Sequence, residues 1–244
     1  MKEITLPHFF KLASELEVDG VEIMDQHFDS MSADYVKSLR RTAESFGLDL
    51  PVIDVCSNFL APELFETEVK NVNKWIEIAS RLECPILKIY FGIKPPEMSN
   101  WKAFELTKEG IKRILPVAET NNKIIGIEIH PTYPQDDPAA IVTLMKIFGS
   151  DNFRAIPDPS LCPPGLRYEA LRLMIPYAVH FHAKCYEFNF LGNETTFDYE
   201  KIFSMMKELN FKGGISAEYG GAGFTAEQRM KGLRKMIALI RRNF

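Results

Sequence analysis

Helix-type and strand-type hydrophobic periods alternate along the whole chain, and this alternation limits the possible folds more than any other feature. Strands separated by helical crossovers must lie parallel, so a chain of this kind builds a parallel sheet covered by helices. Thr5 and Pro7 open a first helix with Phe9, Leu12, Ala13 and Leu16 on one face. DGVEIM (19–24) reads as a strand. Ser32 caps a helix that carries Val36, Leu39, Ala43 and Phe46, and Gly47 supplies its left-handed stop. Strands over 48–55, 85–92, 123–130, 153–158, 178–184 and 213–219 alternate with helices near 63–82, 100–121, 139–148, 166–175 and 198–209. A capping box of Thr225 and Gln228 opens the last helix, with Met230, Leu233, Ile237 and Ile240 expected toward the sheet.

The strands advance by about 33 residues, the repeat that one strand, one helix and two short loops need in an eight-fold barrel. No low-complexity tract or Pro/Gly/Ser-rich hinge interrupts the rhythm. The expectation is a single α/β domain over residues 1–244, a (β/α)8 TIM barrel. Its first strand is vestigial or missing, because MKEIT is too short to serve as strand and loop before Pro7. A gap there exposes strand edges that another chain could cover, so an oligomer is expected, either of identical chains or with a partner subunit.

Composition narrows the function. With 46% hydrophobic residues in 244, the chain can bury a full core, and disorder is excluded. Its net charge of −4 offers no broad cationic field, so neither nucleic acid nor a membrane surface is an expected partner. Cys56, Cys84, Cys162 and Cys185 lie far apart without a C-x-x-C pair. They read as free thiols in a reducing compartment, the cytoplasm. No apolar run approaches the roughly 18 residues of a membrane span, and MKEITLPHFF has no long apolar core of a signal peptide.

In a parallel barrel the reacting groups come from the C-terminal ends of the strands. Glu128 ends KIIGIE, Asp158 ends FRAIPD, His182 lies in AVHFHAK and Glu218 ends GGISAE. Strand alternation puts Gly126, Glu128 and His130 on one face, groups His180, His182 and Lys184, and pairs Ser216 with Glu218. Three carboxylates in one cleft would repel one another. A divalent cation held by three oxygens and one imidazole is the simplest compensation, Mn²⁺ first, with Mg²⁺ or Co²⁺ as alternatives. The competing explanation for each acid is a helix cap or an ion pair with lysine. Glu22 and Lys88 stand near strand ends and would contact substrate or form an internal ion pair. Phe59, Tyr90, Phe91, Trp101 and Tyr186 are candidates for an aromatic wall of the cleft. No Gly-rich loop or helix-start cluster argues for a phosphate.

DGVEIM, CPILKIYFG, IIGIEIHP, the D-P-S segment, HFHAK and GGISAEYGG together resemble the xylose-isomerase-like barrels, which include sugar phosphate isomerases/epimerases and ketose 3-epimerases. The resemblance covers nearly the whole chain. It implies metal ligands at Glu128, Asp158, His182 and Glu218, and it selects His182 over His180, which is left as a substrate contact with Glu22 and Lys88. The chain departs from the family at its first strand and at PSLCPPG (159–165). A narrower similarity is to the α subunit of C-glycoside deglycosidases, carried by Pro157–Asp158 and His182–Tyr186; it implies elimination from a 3-oxo-glycoside with a partner subunit.

The chemistry expected of such a site is proton transfer beside a carbonyl of a keto sugar. As an isomerase or epimerase, Glu128 and Glu218 would exchange the proton while Lys184 donates to a substrate oxygen. As a lyase, His130 would take the proton. A metal-bound barrel without turnover of its own is the non-enzymatic alternative.

Overall fold

The computed structural model describes residues 4–220 and 224–244. The chain divides into two compact units, one up to Arg154 and one from Ala155 to Phe244.

The first unit begins with α1 (Leu6–Ser14), α2 (Ala33–Ser45), α3 (Phe65–Arg81), α4 (Asn100–Thr120) and α5 (Pro138–Phe148). Between them run β1 (Ile23–Met24), β2 (Val52–Val55), β3 (Ile86–Ile89) and β4 (Ile124–Glu128); β5 (Phe153–Ile156) follows, and the division falls inside it. The strands stand in the order β1-β2-β3-β4-β5, and the pairs from β1 to β4 are parallel. Side chains accept backbone N–H groups at the helix starts: Ser32 from Tyr35, Ser99 from Lys102, and Asp137 from Ala139 and Ala140. Gly47 takes the expected left-handed turn at φ 69°. Leu87, Ile89, Ile125 and Ile127 are fully buried, each contributing about 1.5–3 kcal/mol through burial.

The second unit holds α6 (Arg167–Met174), β6 (His180–Cys185), α7 (Tyr199–Glu208), β7 (Gly214–Tyr219) and α8 (Ala226–Arg241). β6 and β7 are parallel and pair His180 with Gly214, His182 with Ser216 and Lys184 with Glu218. On the other side of β6, Ala155 bridges Ala178 in parallel, and Pro157 O accepts the His182 N–H at 3.0 Å. Asp158 therefore ends the segment running beside β6.

Among the described residues the eight helices and seven strands fall where the periodicity puts them. No helix is long and apolar enough to cross a membrane. Four details differ. The first strand of DGVEIM shortens to Ile23–Met24, with only a bridge from Gly20 to Asp49 ahead of it. Helix α1 buries Leu6, Phe10 and Ala13 rather than the stripe through Phe9 and Leu12, because adjacent apolar residues made two helix faces equally apolar. Phe46 falls beyond the last turn of α2 and stays 36% exposed. Helix α8 turns Gly232, Met236 and Leu239 inward and leaves Met230, Leu233, Ile237 and Ile240 half-buried. Residues 1–3 of MKEIT and Gly221 of the GGISAEYGG segment lie outside the described residues; among those described, no strand precedes α1.

Candidate active site

In the first unit the register sets Asp54 beside Lys88 and Lys88 beside Gly126. The long Lys88 side chain then reaches past Gly126 to the carboxylate at the end of β4. Its ammonium lies 2.6 Å from Glu128 Oε2 and 2.9 Å from Asp54 Oδ2. It also donates to the Tyr90 hydroxyl at 3.0 Å, and that hydroxyl donates to Asp54 at 3.2 Å. Lys88, Asp54 and Glu128 are 4%, 6% and 4% exposed. One ammonium thus serves two buried carboxyls. Burial pushes the Asp54 carboxyl up to about 6 against the pull of Lys88, while Lys88 itself is held well above its usual range because Glu128 and Asp54 outweigh its own burial. The Lys88 ammonium, one of the expected substrate contacts, is occupied within this cluster, in the manner of the internal ion pair.

Gln135 locks the frame around Glu128. It accepts from the Phe91 N–H at 2.8 Å, donates to the Glu128 carbonyl at 2.8 Å, and its own carbonyl accepts from the His130 N–H at 3.0 Å. His130 stands edge-on to Tyr90 with ring centroids 5.0 Å apart. Its Nδ1 is buried without a hydrogen-bond partner among the described residues, and burial lowers its basicity, so the ring is neutral at neutral pH. Glu22 is half-buried immediately before β1.

In the second unit Asp158 follows β5, His182 stands in the middle of β6 and Glu218 near the end of β7. Asp158 and His182 are fully buried, and Asp158 Oδ1 accepts the Ser160 N–H at 2.6 Å. His182 Nδ1 lies 3.1 Å from Glu218 Oε1, and Lys184 Nζ lies 2.6 Å from Glu218 Oε2. Burial pulls the Lys184 ammonium toward neutrality, but Glu218 more than reverses this and holds it charged. The Tyr199 hydroxyl donates to the Lys184 carbonyl at 2.5 Å and fixes the strand end. His180 is 2% exposed, and its Nε2 meets the Ser216 hydroxyl at 2.7 Å. The face shared by His180, His182 and Lys184 in the sequence is thus the face that meets Ser216 and Glu218.

Donor atoms bound to one cation at about 2.0–2.5 Å lie about 3 Å apart. The His182 Nδ1 to Glu218 Oε1 separation matches that spacing, and one imidazole with hard carboxylate oxygens suits a divalent ion of the Mn²⁺ or Mg²⁺ type.

Sequence reasoning did not single out Asp54, Gln135 or Tyr199. Asp54 left a signal, a lone acid inside the apolar run VIDV. Gln135 lies in a loop and left none. Among the aromatic candidates, Phe59 and Phe91 are fully buried core, Trp101 is 72% exposed, and Tyr90 alone joins the carboxylate cluster.

The sequence pattern of the xylose isomerase-like TIM barrel family matches residues 10–243, and the chain belongs to that family. No curated protein sequence matches it. Among solved structures it is similar to a D-psicose 3-epimerase crystallised in the presence of D-fructose, with 15% identity, a TM-score of 0.81, and coverage of 98% of this chain and 93% of that one. It is also similar to D-psicose 3-epimerase from Clostridium cellulolyticum H10 with D-tagatose, at 13% identity and a TM-score of 0.84, covering 98% and 94%. A 3-keto-D-glucoside 4-epimerase from E. coli shares 15% identity with a TM-score of 0.79, covering 98% and 94%.

Proposed function

We propose that the protein is a divalent-metal-dependent sugar isomerase or epimerase that moves a proton on the carbon beside the carbonyl of a keto sugar. The observation that carries this reading is the Glu218 carboxylate, with one oxygen at His182 Nδ1 and the other at the Lys184 ammonium, on a strand end in a family of barrels. The named reactions of the similar structures, at C3 of psicose and C4 of a 3-keto-glucoside, both alter a carbon next to a carbonyl.

Glu128, Asp158, His182 and Glu218 would hold the cation, Mn²⁺ by preference. When bound, the ion supplies a Lewis acid that polarises the carbonyl and stabilises negative charge developing on its oxygen. Glu218 and Glu128 exchange the proton from opposite faces of the carbon. Lys184, kept charged by Glu218, donates a hydrogen bond to a substrate oxygen. Lys88, 2.6 Å from its carboxylate, fixes Glu128 in direction, and Glu22 and His180 complete the substrate side. The substrate is a small sugar or glycoside.

The test is solvent-deuterium uptake into ketoses by chelator-treated protein reloaded with Mn²⁺. Uptake at one carbon, lost by about a thousandfold in Glu218→Gln, is the expected result. A Glu218→Gln variant as active as the wild type overturns the assignment.

A second reading, elimination of the aglycone from a 3-oxo-glycoside with a partner subunit, is favoured by the neutral imidazole of His130 with its unbonded Nδ1. Unchanged turnover of such a glycoside in His130→Ala removes it.

A further inference from the structure

Beyond the carboxylates, the second unit contains a cavity of about 160 Å³ lined by Tyr186, Phe188, Tyr219, Phe224, Gln228, Lys231 and Lys235. It lies between the segment after β6, the last residue of β7 and one face of α8.

The charge pattern is unusual for this chain. The protein as a whole carries −4, yet α8 has Arg229, Lys231, Arg234, Lys235 and Arg241 against the single acid Glu227. Gln228, Lys231 and Lys235 follow one another at i, i+3 and i+7, so they share one face of α8. Among the described residues neither Lys231 nor Lys235 has a carboxylate within ion-pair distance, whereas Lys88, Lys108, Lys112 and Lys184 all do. Lys235 instead lies 5.5 Å from the centre of the Phe188 ring.

The walls are built. Gly232 lets the Tyr219 ring lie against α8: a Cβ there would stand 2.1 Å from that ring, so no other residue fits without displacing it. Tyr219 packs edge-on to Phe224 at 5.2 Å. Glu194, 6% exposed, accepts the Tyr186 and Phe197 N–H groups and braces the loop that carries Tyr186. The Tyr186 ring and the Lys184 stem both lie against Gly220, so the cavity shares a wall with the Lys184–Glu218 pair. The volume accommodates one oxyanion group.

We propose that this cavity binds the oxyanion group, phosphate or carboxylate, of an anionic sugar whose reacting carbon sits at Glu218. The substrate class rests on the epimerase reading; the anion site itself does not. Lys231 and Lys235 supply the charge, and the Gln228 amide and the tyrosine hydroxyls supply neutral donors. The sequence contained no phosphate motif, because the two lysines and the two tyrosines come from three separate stretches.

The experiment is calorimetric titration of the full chain with inorganic phosphate and, separately, with acetate. Saturable binding of either is expected, weakened about tenfold or more in the Lys231→Gln/Lys235→Gln double variant. The tighter of the two names the group. A melting temperature in phosphate-free buffer equal to that of the wild type shows that the double variant is folded; otherwise the exposed single Lys231→Gln replaces it, with a smaller loss of about threefold expected. Absence of binding to the wild type, or equal affinity in the variant, overturns the site. Titration with D-fructose 6-phosphate against D-fructose then reads the substrate assignment: tighter binding of the phosphorylated sugar by about tenfold, abolished in the variant, supports it, and equal affinities overturn it. Failure of the epimerase reading shows elsewhere, as absent deuterium uptake from either sugar while phosphate still binds.

Discussion

The cluster around Lys88 in the first unit and the cluster around Glu218 in the second use the same chemical parts, a lysine and carboxylates at strand ends, in opposite proportions. In the first, one lysine serves two carboxyls and all three side chains are at most 8% exposed. In the second, one carboxylate serves a lysine and an imidazole, and both Glu218 and Lys184 keep about a third to a quarter of their side chains open, at 32% and 25%. An ion pair shut away from water holds its side chains in place; an accessible one can trade a partner for a substrate. The Lys88 cluster is therefore built to fix the direction of Glu128, and the Glu218 cluster is the more open of the two to a substrate.

The largest expected difference is in stability. Lys88→Met leaves two buried carboxyls without their cation and is expected to cost about 3–5 kcal/mol. Lys184→Met, at a solvated pair, is expected to cost about 1 kcal/mol or less. Urea unfolding of both variants measures the gap, and equal losses would break the distinction between scaffold and reactive pair.

A smaller effect concerns pH. The folded Asp54 carboxyl, at about 6, lies above its ordinary value of 3.8. A group raised in the folded state favours folding while protonated, and that contribution is lost as pH rises through the folded value. Asp54 therefore makes the wild type lose stability between about pH 4 and 6, and Asp54→Asn is expected to flatten this interval in melting curves recorded from pH 4 to 7. Because Asn carries no titrating proton, an unaltered slope in the variant would place the proton on another group.

The smallest expected effect concerns the thiols. Cys56 is exposed two residues beyond Asp54, whereas Cys185, next to Lys184, is buried, as are Cys84 and Cys162. Burial pushes the Cys84, Cys162 and Cys185 thiols up to about 12, far from the reactive thiolate. One thiol per native chain is expected to react with Ellman's reagent, at a rate held back because partial burial and Asp25 raise the Cys56 thiol, and Cys56→Ser removes that phase. A fast reaction at Cys185 would mean that the second cluster is open well beyond Glu218 and Lys184.

Much of the second cluster was legible in the sequence. Strand alternation is a fixed period of two, so His180, His182 and Lys184 had to share a face, and Ser216 and Glu218 another. Parallel pairing then joined the two faces. The first cluster was less legible. Asp54 and Glu128 are 74 positions apart, and only the register of three strands brings Lys88 between them. Gln135 sits in an irregular loop without a period to betray it. The inward faces of α1 and α8 were misplaced because apolar residues stand side by side there, and packing chose between faces that hydrophobicity alone left equal.

The sequence by itself determined the order of helices and strands, the caps that bound them and the polar residues that end the strands, since each depends on neighbours a few positions away. Only the tertiary structure decided which carboxylate is buried beside which cation, and which stays within reach of water. Those outcomes depend on strand register and on burial, and both are set by segments distant in the chain.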